Sequence, residues 1–271
     1  MNIHEGNTLY YKNGDHYTGE FADGSPHGTG KMIYEDGTFY TGQWSAGQRH
    51  GRGEQTYSNG DHYAGDWCHD MEHGRGIKKM VKYDSESEGA AYTGEFHNGA
   101  CHGKGEITFS DGSTYIGDFQ NGVFHGTGKQ TCLSGPEAGT KYNGQFHCGI
   151  YHGHGELTLR DGSTYKGDFQ NGVFHGKGKQ VWISGANTRS KYEGQLQFGA
   201  YHGSGIMTFA DGGKYDGEYL NGKQCGRGTY TYPDGSMFES CWFADQKHGT
   251  GKVTNASGDC FQGVWKEGRL S

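Results

Sequence analysis

Rings and glycines alternate along this chain with a period of two. In Tyr17-Thr-Gly19-Glu-Phe21 the first, third and fifth residues share one face of an extended strand, while Thr18 and Glu20 face the other way. The alternation returns at Tyr40/Gly42/Trp44, Tyr63/Gly65/Trp67 and Tyr92/Gly94/Phe96, and onward to Phe261/Gly263/Trp265. A second alternating run follows each first one, as in Gly30/Met32/Tyr34, Gly105/Ile107/Phe109 and Gly205/Met207/Phe209. Two runs per period predict a β-hairpin as the repeating element. Copies start at Tyr17, Tyr40, Tyr63, Tyr92, Tyr115, Tyr142, Tyr165, Tyr192, Tyr215 and Phe238, mostly 23 residues apart. The stretches Tyr115–Gly128 and Tyr165–Gly178 differ only at Ile116/Lys166 and Thr127/Lys177. A period in the twenties signals a stacked array in which no single copy buries its own apolar face.

The links between copies are Asp-Gly or Asn-Gly, as at Asn13-Gly14, Asp36-Gly37, Asn59-Gly60, Asp111-Gly112, Asp161-Gly162, Asp211-Gly212 and Asp234-Gly235. That dipeptide predicts a two-residue type I′ turn. Hairpins joined by tight turns give an all-β fold: an elongated, single-layer antiparallel β-meander forming a twisted or curved ribbon, about 95 Å long at the usual strand spacing. Ten repeats are expected over residues 17–260, with half-repeats at 1–16 and 261–271 capping the array. Three links are longer, centred on Asp84, Pro136 and Asn187, and all extend the same turn. They are expected to project from one edge as a row, either as harmless surface loops or as a partner-contacting ridge.

Composition sharpens this picture. The chain holds 53 Gly, 3 Pro and 31% hydrophobic residues, too few for a thick core, so the core should be one ring deep. Glycines at fixed strand positions leave bare backbone over which neighbouring rings can lie. No stretch approaches the roughly twenty apolar residues of a membrane-spanning helix. Nor does the start, Met-Asn-Ile-His-Glu, carry the basic and apolar regions of a secretory signal. Seven cysteines with no CxxC spacing read as reduced thiols, which points to the cytoplasm.

The series Tyr-x-Gly-Glu/Asp-Phe/Trp, then His-Gly-x-Gly, then Asp-Gly resembles the MORN repeat (membrane occupation and recognition nexus), and the resemblance runs from Tyr17 to about Arg269. Ser240 for the strand glycine, Leu196 for the ring, Cys225 for the histidine, and Asp70 and Asp245 for the loop glycine are the departures. The resemblance implies an aromatic-lined groove. It also implies a scaffold of the cytoskeleton, cilia or flagella that dimerises or grips a partner's helix. Phosphoinositide binding is attributed to the family as well.

Several chemistries can be weighed against that expectation. A net charge of −7 argues against nucleic acid, and against a lipid-binding module as the first choice, since both reward clustered cations. Basic residues gather only at Lys78, Lys79 and Lys82. One histidine per repeat (His27, His50, His73, His102, His125, His152, His175, His202, His248) is not the mixed local ligand set of a metal site. These imidazoles are expected to secure the wide turn through backbone bonds. The acid or amide row Glu20, Gln43, Asp66, Glu95, Asp118, Gln145, Asp168, Gln195 and Glu218 lacks the special pair of a catalytic site and reads as cross-strand solubilising contacts. No catalytic residue, metal or cofactor is expected. The ring row remains: Trp44, Trp67, Phe96, Phe119, Phe146, Phe169, Tyr219 and Trp242 are the candidate partner-binding residues. They could equally be satisfied by each other.

Overall fold

A computed structural model describes residues 3–81 and 89–271, so Lys82 and the link around Asp84 lie outside the described residues. All regular structure among the described residues is β-strand. The chain divides into two compact units, Met1–Ser134 and Gly135–Ser271. Each is a single-layer antiparallel meander in which every strand pairs with its sequence neighbours, as the alternation requires. In the N-terminal unit His16–Ala22 pairs with Ser25–Ile33, which pairs with Phe39–Ser45. In the C-terminal unit Thr164–Gln170 pairs with Val173–Val181, which pairs with Lys191–Gln197.

Register places the repeat's first tyrosine and its glycines on one face. Gly117 lies opposite Gly128, and Gly167 opposite Gly178. The tyrosine ring lies across that glycine pair. A Cβ on Gly117 would sit 2.5 Å from Gly128 Cα, and one on Gly128 would sit 2.5 Å from the Tyr115 ring, so only glycine admits this approach. The first tyrosines of the repeats are wholly buried or nearly so, and they form the core of each unit.

The type I′ turn occurs at the other end of the hairpin from the one expected. Two successive positive-φ residues lie inside each hairpin, as at Asn121-Gly122 and Asn171-Gly172. At the Asp-Gly links only the glycine has positive φ. There a three-residue loop closes by a bond such as Tyr34 N–H to Thr38 O, and the Asp36 side chain caps the Thr38 N–H at 2.9 Å. Asp-Gly therefore serves a type I turn with a left-handed glycine, the other common hairpin solution. Two of the long links are tied down. Leu133 N–H bonds Ser113 Oγ (2.8 Å) in the N-terminal unit, and Ile183 N–H bonds Ser163 Oγ (3.1 Å) in the C-terminal unit. Ser134 and Ser184 donate to Asp111 and Asp161.

Candidate functional site

The seventh repeat shows how the ring face is built. Gly167 opposes Gly178 and Asp168 opposes His175, which leaves Gly176-Lys177 as a bulge with no residue opposite. The Tyr165 hydroxyl reaches over the glycine pair and donates to Asp168 O (2.9 Å), with His175 O at 3.3 Å. From the other face Asp168 Oδ2 accepts the Lys177 N–H at 3.1 Å. The bulge is thus pinned on both faces. The same clamp appears as Glu20 on Thr29, Gln43 on Arg52, Asp66 on Arg75, Asp118 on Thr127, Gln145 on His154 and Gln195 on Ser204. Glutamine serves as well as aspartate because the task is to accept a backbone N–H.

The acid and amide row makes the cross-strand contacts expected of it, as with Asp66 and Arg52 or Asp118 and Lys104, and it also clamps the bulge. Four of the histidines differ from the expectation. The Nδ1 atoms of His73, His102, His175 and His202 are buried without a hydrogen-bond partner. The tenth repeat accounts for one departure from the pattern. Phe238 has no hydroxyl, and Ser240, in place of the strand glycine, donates instead to His248 O at 2.9 Å. That carbonyl is the counterpart of His175 O.

The eight rings named as partner-binding are core residues. Trp44, Trp67, Phe96, Phe119, Phe146, Phe169, Tyr219 and Trp242 are only 3–7% exposed, so they form no open contact surface. Each meets tyrosine rings edge-on, as Phe169 meets Tyr165 (5.1 Å) and Tyr142 (5.2 Å). A second strand residue covers them. In the C-terminal unit Tyr151, Phe174 and Tyr201 stack flat on Tyr142, Tyr165 and Tyr192 at 3.9, 3.8 and 4.0 Å and stay half-buried. Phe124 does the same on Tyr115 in the N-terminal unit. This outer row is the accessible part of the ring face. Its sequence signal is a ring immediately before His-Gly, visible in Val-Phe-His-Gly but masked by variation elsewhere. Burial raises the hydroxyl pKa of Tyr142 and of Tyr201 to about 12.

Other repeats fill the outer position with charge. The Arg49 guanidinium lies 4.3 Å from the Trp67 ring centre and 5.9 Å from that of Tyr40. Its Nε donates to Asp70 Oδ1 (3.1 Å), Nη2 to Asp70 O (2.7 Å) and Nη1 to Gln55 Oε1 (3.0 Å). Glu72, buried, accepts from Lys78 Nζ (2.8 Å) and Tyr57 Oη (2.7 Å). Lys247 Nζ donates to Tyr232 Oη (2.6 Å) and lies over Phe238. On the opposite face of the N-terminal unit a groove of about 800 Å³ follows the bare glycines Gly42, Gly53, Gly65, Gly76 and Gly94, with Arg52, Arg75 and Lys104 along one side. Arg52 and Lys104 there are paired with Asp66 and Asp118. No helix among the described residues is long and apolar enough to cross a membrane.

A family model, the MORN repeat, matches ten segments: 17–39, 40–62, 63–84, 92–114, 115–135, 142–164, 165–186, 192–214, 215–237 and 238–260. No curated protein matches the sequence. Among solved structures, the chain is similar to the TCP10 domain of Danio rerio CPAP in complex with a STIL peptide. That similarity is at 14% identity and a TM-score of 0.28, covering 90% of this chain and 97% of the other. It is also similar to the Drosophila melanogaster SAS-4 TCP domain in complex with a proline-rich motif of Ana2, at 17% identity and a TM-score of 0.27, covering 59% and 83%.

Proposed function

The chain belongs to the MORN-repeat family, and from that premise we propose that it is a non-catalytic scaffold holding a partner protein against its ring face. The observation that carries this reading is the half-exposed outer row Tyr151, Phe174 and Tyr201 on a floor of fully packed rings. A rigid aromatic row of this kind binds with little loss of side-chain freedom. Successive outer rings lie two strands apart, about 9.6 Å. Two turns of an α-helix advance about 10.8 Å. An amphipathic helix laid across the strands would therefore set residues seven apart on successive rings, and a second copy of the chain is the alternative occupant. The eight buried rings act through the outer row they support. The setting we favour is a cytoskeletal assembly, ciliary or flagellar, as the family suggests.

The test is a pull-down from cell extract with the intact chain as bait, beside a Phe174→Ser/Tyr201→Ser variant, with light scattering of the pure protein. A protein held by the first and lost by the second supports the reading, as does a dimer that the variant dissolves. Equal retention by both baits would overturn it. Salt-sensitive flotation of a monomer on phosphoinositide vesicles would favour a peripheral lipid-binding module instead.

A further inference from the structure

We propose that the ninth and tenth repeats together carry a receptor for an arginine side chain of the partner protein, formed by Tyr215, Trp242 and Asp245. The proposal rests on the reading that the ring face docks a protein. Its ground is a comparison of the chain with itself.

Nearly every hairpin turn has glycine at its second central position, where φ is positive; Asp70 (φ 65°) and Asp245 (φ 69°) take that place in two of them. Aspartate tolerates that conformation better than most residues with a Cβ, and what distinguishes these two turns is the carboxylate it brings. At Asp70 its role is visible. Its carboxylate holds the Arg49 backbone N–H (2.9 Å) and the guanidinium Nε, and the guanidinium lies over the Trp67 and Tyr40 rings.

The second site repeats this frame bond for bond. Asp245 N–H donates to Gln224 O at 3.1 Å, as Asp70 N–H donates to Arg49 O at 3.1 Å. Asp245 Oδ1 accepts the Gln224 N–H at 2.8 Å. Trp242 and Tyr215 stand where Trp67 and Tyr40 stand, edge to face at 5.1 Å. The cation differs, since Gln224 occupies the position of Arg49, and Tyr230, 6.4 Å from the Trp242 ring, stands where Gln55 accepts from Arg49. The Gln224 side-chain amide has no hydrogen bond among the described residues and is half-exposed, free to be moved aside. Asp245 is exposed and forms no ion pair among the described residues, which leaves its charge uncompensated.

An unpaired carboxylate beside two rings matches the planar, multi-donor guanidinium better than the compact ammonium of lysine.

The experiment is selection of a random dodecapeptide library displayed on phage against the full chain. Recovered peptides should carry an arginine whose replacement by lysine weakens binding at least tenfold. Gln224→Arg, which fills the receptor from within, should weaken the same peptides at least tenfold. Asp245→Asn, which keeps the acceptor for Gln224 N–H but removes the charge, should do likewise, with far-UV spectra showing both variants folded. Peptides that lose binding to Phe174→Ser yet lack arginine, or bind Gln224→Arg unchanged, would overturn the receptor and leave the docking face standing. If no peptide depends on Phe174, both readings fall.

Discussion

Replacing Tyr165 by Phe removes one hydroxyl and nothing else from the seventh repeat. That hydroxyl donates to Asp168 O at 2.9 Å, with His175 O at 3.3 Å, and it pins one face of the bulge. A neutral hydrogen bond contributes about 1 kcal/mol net, and a buried carbonyl left without a donor costs ~1–3 kcal/mol. The substitution should therefore destabilise the repeat by about 1–3 kcal/mol, or roughly five- to 160-fold in local opening. Amide hydrogen exchange over peptides spanning 164–181 is the assay, because local opening in a repeat array is read repeat by repeat. The tenth repeat shows another way to satisfy that carbonyl: Phe238 stands there, and Ser240 Oγ reaches His248 O. At Gly167 a serine should not restore the loss, because its Cβ would lie 2.5 Å from the backbone atoms Gly178 Cα and Lys177 O, which Tyr165→Phe leaves in place. If Tyr165→Phe leaves exchange unchanged, the account of the pinned bulge is wrong.

Three further outcomes follow from the same geometry. Asp118→Asn keeps the acceptor for Thr127 N–H but loses the Lys104 ion pair, so it should cost no more than about 1 kcal/mol at neutral pH, while Asp118→Ala costs ~1–2 kcal/mol in urea denaturation. Burial raises the Asp118 pKa, but the Lys104 ammonium and the Thr127 donors outweigh it and hold the carboxyl below its usual value. Its contribution is therefore complete above the unfolded-state value and lost as pH falls through the folded one; denaturation against pH should show wild type and Asp118→Asn converging in acid. Ser163→Ala removes the acceptor for Ile183 N–H, so limited proteolysis should cut residues 183–190 faster while the strands stay protected. Arg49→Ala strips a guanidinium from two rings and Asp70, and thermal melting should show a loss of about 1–3 kcal/mol.

The hairpin array is legible in the sequence because each link is local. A period-two run fixes which face Tyr165, Gly167 and Phe169 share, and the glycine opposite Gly167 must lie under the tyrosine. What escapes sequence reading depends on which of two similar groups reaches a given atom. Asp-Gly at 36–37 and Asn-Gly at 171–172 look alike as dipeptides, yet only the second has two left-handed residues, because only it closes a two-residue loop. The histidine and acid rows both flank the bulge, but the carboxylate or amide oxygen lies on the unpaired N–H while the imidazole Nδ1 does not. The ring row named as a contact surface is the easier one to see, being larger and more regular than the outer row. It is buried for that reason: large rings that recur in every repeat fill the floor, and the position above them is free to vary from Pro26 to Arg49 to Phe174.

The serines that tie down the long links also bear on how such a chain can lengthen. Ser113 and Ser163 stand fifty residues apart, and each holds the backbone twenty residues beyond it. One hairpin lies between each serine and the backbone it holds. A duplication cut inside that hairpin would separate the hydroxyl from its loop, while one cut outside it would carry lock and key in the same piece, which makes the hairpin with both flanks the smallest piece that can be copied whole in this stretch.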